Sequence, residues 1–112
     1  MIVVQEKKKI NFREDNVIEL SKADLRKYAG FPVREAIYFP TANKNHDAEI
    51  TIANGTILFY GSMFCIKSSM KNYNIGIQIS YIDSVFQEEQ NNGKISRMAI
   101  VTKSKGKLEL TF

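Results

Sequence analysis

The sequence predicts a mainly β protein, an antiparallel sandwich or partly open barrel of about seven short strands with one short N-terminal helix. Three observations carry that expectation. Runs rich in β-branched and aromatic residues recur at roughly 8–12-residue spacing, with turn-forming residues between them. Ile75, Ile77 and Ile79 alternate with small or polar residues, as Leu108, Leu110 and Phe112 do with Lys107, Glu109 and Thr111, the period of a strand with one buried face. Asn54-Gly55 divides two such runs, and an Asn-Gly pair there signals a hairpin turn.

In chain order, residues 2–13 read as a strand or extended arm within an N-terminal segment 1–13. Lys7-Lys8-Lys9 interrupts it, so it suits an edge. A short helix follows over 21–29. Ser21 is its N-cap and Asp24 completes an acidic variant of the capping box. Leu20 and Leu25 form a hydrophobic staple, Gly30 stops the helix, and Pro32 forbids its continuation. Leu25, Tyr28 and Ala29 make its apolar face. Two turns of helix suit a lid or plug better than a bundle member.

The β core is expected over 36–112. Ala36 to Phe39 is a short strand ended by Pro40, and 41–47 is a polar loop. The hairpin at Asn54-Gly55 would set Ile52 opposite Ile57 and Ile50 opposite Phe59, gathering all four on one face. Met63 to Lys67 is the next run, with Phe64 and Ile66 sharing a face. A polar loop over 67–74 leads to the alternating isoleucines. Tyr81 to Phe86 is kinked and continues as a strand through Glu88. Gln90 to Gly93 turns the chain into a strand from Ile95 to Thr102, and Ser104-Lys105-Gly106 turns it back into Lys107–Phe112.

The 112 residues suffice for a single domain spanning 1–112. With 44% hydrophobic and 25% charged residues the composition is that of an ordinary globular chain. No apolar run approaches the ~20 residues of a membrane-spanning helix. One cysteine cannot form an internal disulfide, which suits a reducing, cytoplasmic setting. The net charge of +4 permits weak contact with phosphates or anionic lipid at a membrane periphery, although a solvated surface accounts for it more simply.

The second half resembles the bacterial pleckstrin-homology-like (GRAM-related) domains over about residues 47–112. ITIANGTILFYG stands where that family has a hairpin, IQISYIDSV where it has a strand-entry segment, and ISRMAIVTKSKGKLELTF where it has a closing strand pair. The resemblance implies two antiparallel sheets packed near orthogonally with the mouth closed by a C-terminal helix. The sequence ends at Phe112, where that helix would begin: either it is cut short of the helix, or the mouth closes another way, through the 21–29 helix or a second copy of the chain. The loop after Phe39 offers Lys44 and His46 but not the family's basic inositide-binding pattern. A cyclic-dinucleotide-binding PilZ barrel fits less well. Gly30 stands where its second arginine would be, and ITIANG lacks its serine.

The residues point away from catalysis. Cys65 and His46 do not suggest a pair, and Cys65, out of phase with Phe64 and Ile66, reads as a partly buried structural thiol. No Gly-rich phosphate loop, metal-ligand spacing or cofactor motif is present. Glu88-Glu89 and Glu14-Asp15 are adjacent, which on strands points them to opposite faces. Basic residues cluster at Lys7 to Lys9 with Arg13, and at Lys94, Arg97, Lys103, Lys105 and Lys107. The second group is the candidate ligand-binding patch for a lipid headgroup or nucleotide, and edge protection is the plainer account of it. Tyr73 alone is no stacking platform, which disfavours nucleic acid. The expected function is a non-catalytic binding or scaffolding module that engages a protein partner or itself.

Overall fold

The computed structural model describes residues 17–40, 50–70, 72, 74–89 and 95–112. Among these, eight strands form one antiparallel sheet: β1 (Val17–Leu20), β2 (Pro32–Phe39), β3 (Ile50–Tyr60), β4 (Met63–Ser68), β5 (Asn74–Gln78), β6 (Ile82–Glu89), β7 (Ile95–Thr102) and β8 (Lys107–Thr111). Their order is β1-β6-β7-β8-β2-β3-β4-β5. The meanders β2 to β5 and β6 to β8 are joined where β2 pairs with β8. Among the described residues the sheet is open, with β1 and β5 as its edges. A mainly β antiparallel fold with one short N-terminal helix is therefore what forms, as an open sheet and not a closed barrel. The N-terminal arm, the 41–47 loop, His46, Tyr73, the 90–93 turn and Lys94 lie outside the described residues.

Alternation builds the core. Ile75 and Ile77 are buried on β5, Leu108 and Leu110 on β8, and Phe64 and Ile66 on β4. They share one cluster with Val85, Met98 and Ile100 from the other end of the sheet, so the sheet curls around its own inner face. The kink foreseen near Tyr81 is a 3-10 turn over Ile79–Tyr81 that swings the chain into β6.

The Asn54-Gly55 hairpin does not form. Both residues lie inside β3, which pairs with β2 in one register from Pro32↔Thr56 to Tyr38↔Ile50. A type I′ turn needs both central residues at positive φ, but only Asn54 has it, at 61°. Gly55 serves a different need. A methyl group there would stand 2.9 Å from Ile66 Cγ2 and 3.0 Å from the Lys67 carbonyl. The reversal lies at Gly61-Ser62, with Gly61 at φ 62° and Tyr60 opposite Met63. The expected division of faces nevertheless survives in part. Ile52 and Ile57 are both buried although five residues apart, because the left-handed residue resets the alternation. Val33 and Ala36 show the same reset on β2, so the sheet bends there across both strands. Phe59 packs against the core, whereas Ile50 is 43% exposed.

The predicted helix is a 3-10 helix over Lys22–Tyr28. Ser21 is its N-cap, but no side chain closes a capping box. The Asp24 amide instead donates to the Ser21 carbonyl at 3.0 Å. Leu25 is fully buried while Ala29 is exposed, so the apolar face is narrower than expected. Lys22 Nζ donates to the Ile82 carbonyl at 2.9 Å and Arg26 to the Gly61 carbonyl at 2.8 Å. The helix thus bridges β6 and the β3–β4 turn, across the gap left by the curl. Pro32 opens β2, where a strand's first residue needs no amide.

Candidate functional site

The alternation that buries Ile75 and Ile77 leaves Asn74, Gly76 and Gln78 on the outer face of the edge strand β5. The register sets Leu58, Cys65 and Gly76 in one row across β3, β4 and β5, with Tyr60, Met63 and Gln78 in the next. A methyl group on Gly76 would meet Met63 Sδ at 2.8 Å, so the methionine lies over the glycine. Tyr60 is 57% exposed and Leu58 and Met63 are half-buried. The outer face beside this edge is therefore apolar along these two rows, with the exposed Lys67 beside Asn74 in the row before them. The edge strand itself, Asn-Ile-Gly-Ile-Gln, carries no charge.

Cys65 sits within this face but is shielded, at 2% exposure. Burial pushes its thiol above the ordinary pKa, which keeps it protonated and poorly nucleophilic. A disulfide-exchange reagent is expected to leave Cys65 unmodified in the native protein and to titrate one thiol per chain once it is unfolded. Rapid reaction without denaturant would contradict its placement.

Among the described residues, Arg97, Lys103, Lys105 and Lys107 do not gather into one patch. Arg97 Nε bonds the nearly buried Glu88 Oε1 at 3.0 Å. It stands six positions along β7 from Lys103, roughly 20 Å at strand rise. Lys107 pairs with Glu109 at 2.8 Å, and its ammonium lies 5.4 Å from the centre of the Phe39 ring. Lys103 and Lys105 are exposed in the β7–β8 turn, at the end of the sheet where Tyr81 and Ile50 are also exposed. The Lys103 amide donates to the Tyr81 carbonyl at 2.9 Å, and Tyr38 lies opposite Ile50.

A polar group at the other end had no sequence signal. Tyr28 Oη donates to Gln87 Oε1 at 2.9 Å, and Gln87 Nε2 donates to Glu89 Oε2 at 2.8 Å. Phe31 and Phe112 stand against Tyr28, at centroid distances of 5.1 and 6.4 Å. Desolvation, then the Glu89 and Asp24 charges, raise the Tyr28 pKa. A pKa raised on folding gives stability that is full below pH about 10 and is lost as pH rises through the folded value. Tyr28→Phe should therefore cost about 0.5–1.5 kcal/mol near neutrality, for the lost hydrogen bond. It should also flatten the alkaline fall in stability measured by urea unfolding above pH about 10. An unchanged alkaline slope would contradict the assignment.

No family model, curated protein or solved structure matches this chain.

Proposed function

We propose that this chain is a non-catalytic association module, built on a pleckstrin-homology-like sheet, that binds protein through its open edge, a second copy of itself first of all. The observation that carries the reading is an uncharged edge strand bordered by the apolar Leu58, Met63 and Tyr60, with Tyr60 57% exposed, and by a single lysine, Lys67, at one end. Strand edges offer ready hydrogen-bonding templates, and proteins that do not use them blunt them with lysine, proline or a bulge. β5 has none of these among its residues. Backbone pairing supplies affinity in this mode and flanking side chains supply selectivity.

Light scattering over a range of protein concentrations tests it. A mass that rises to twice the chain mass, and holds as salt is raised, supports the reading, because an apolar and backbone-bonded contact is not screened. A monomer at every concentration defeats it.

A second reading rests on the other end of the sheet. Lys103, Lys105, Tyr81 and Ile50 are exposed together there, a basic and amphipathic edge suited to an anionic headgroup at a membrane surface. It calls for sedimentation with phosphatidylserine vesicles that weakens steeply with salt and is lost in Lys103→Glu/Lys105→Glu. Binding to neutral vesicles alike would reject it.

A further inference from the structure

We infer that two copies of the chain join β5 to β5 in antiparallel register about a two-fold axis at Gly76, extending one sheet into the other. This rests on the association reading above and names its partner and register.

The sequence of the edge is nearly its own mirror. Asn74, Ile75, Gly76, Ile77 and Gln78 read almost alike in both directions. An antiparallel pair centred on Gly76 therefore sets Asn74 against Gln78 of the second copy, Ile75 against Ile77, and Gly76 against Gly76. Whichever residues point their amides outward, such a pair matches donors to acceptors, since opposed residues in an antiparallel ladder exchange their bonds or both abstain. A two-fold axis normal to the sheet keeps inner face with inner face. The Ile75 and Ile77 layers then become continuous, and the outer rows run Leu58–Cys65–Gly76 and back again in the partner.

The neighbours accept this contact. Asn74 lies beside Lys67 of its own sheet and Gln78 beside Met63, so the joint brings no like charges together. Ser62 Oγ donates to Gln78 Oε1 at 3.1 Å, which orients the amide and leaves its NH2 to donate across the joint to Asn74. Met63 lies over Gly76 and shields the joint from the outer side. The other edge is a poorer candidate. β1 has four residues, includes Glu19, and shows no such symmetry.

The register is tested by charge placement on the full 112-residue chain. Asn74 and Gln78 are exposed, so neither substitution disturbs the core. Asn74→Lys/Gln78→Lys sets like charges against each other at both ends of the joint. Asn74→Lys/Gln78→Glu sets opposite charges there, twice per dimer. Sedimentation equilibrium should show the first variant dissociating about tenfold more readily than the native chain, and the second restored to native affinity or tighter. Circular dichroism confirms that both fold. Equal weakening in both variants overturns the register. A native dimer indifferent to both overturns the β5 joint but leaves self-association standing elsewhere on the molecule. A native chain that never dimerises defeats the joint and the association reading together.

Discussion

Truncating Leu25 to alanine is expected to lower the free energy of unfolding by about 2–5 kcal/mol, a large share of what a domain of this size has. Leu25 is the one fully buried side chain of the 3-10 helix, whose other side chains are exposed or half-buried. A helix this short does not hold itself together in water, so its position depends on tertiary contacts. Leu25 fills the inner face between strands from the two ends of the sheet. Arg26 and Lys22 fasten the ends of the helix to Gly61 and Ile82. Removing Leu25 leaves a cavity beneath a bridge that cannot easily collapse, because its abutments, β6 and the β3–β4 turn, are held by strand pairing. Lys27→Ala is the control. Lys27 is 73% exposed and its pairing with Asp24 at 3.5 Å is the surface kind, so the change should be small. Urea unfolding of both variants decides the matter. If Leu25→Ala were as mild as Lys27→Ala, the helix would not anchor the curl.

What could be read from the sequence follows a physical dividing line. Ile75, Ile77, Leu108 and Leu110 announce their buried face through period-two alternation, and all four are buried. β7 falls where its residues foretold, from Ile95 to Thr102. β1 gave no such signal. Its Ile18 is 44% exposed and Glu19 interrupts it, and its partner β6 lies far along the chain. Asn54-Gly55 misled because positive φ serves a bend as well as a turn. The sequence does not reveal whether such a residue reverses the chain or resets the alternation within it.

The candidate site divides in the same way. That β5 carries no charge can be read directly; that it is an edge cannot, because edges are set by strand order. The pairing of Arg97 with Glu88 depends on the β6–β7 register, which also determines that Arg97 and Lys103 lie at different ends of β7. Basic residues close in sequence were thus separated by strand geometry, while residues with no shared motif, Leu58, Met63 and Gly76, were brought into one apolar surface.

Replacing Gly106 by alanine should be nearly as damaging as the loss of Leu25, for the opposite reason. Gly106 ends the β7–β8 turn. Its amide accepts no substitute geometry: it donates to Thr102 Oγ1 at 3.0 Å while its carbonyl receives the Thr102 amide at 2.9 Å. The residue is buried beneath the end of β2. A methyl group there would collide with the Pro40 carbonyl oxygen and stand 2.6 Å from that of Phe39. Both obstacles are backbone, so no side chain can rotate to make room. Either the β7–β8 turn must open or the end of β2 must lift from β8, which breaks the pairing that unites the two meanders. Overpacking of this kind costs about 1–3 kcal/mol and sometimes more, and each kcal/mol lowers Tm by about 4 °C. The preceding residue makes the contrast. Lys105 is held at φ 74°, a conformation costing a side chain about 1–2 kcal/mol. Lys105→Gly relieves that strain and gives back about 0.5–1 kcal/mol through the freer unfolded chain, for a small net gain. Neighbouring exchanges between glycine and a larger residue should therefore shift Tm in opposite directions when both variants are melted side by side. A Gly106→Ala protein as stable as the native chain would mean that β2 does not close over the turn.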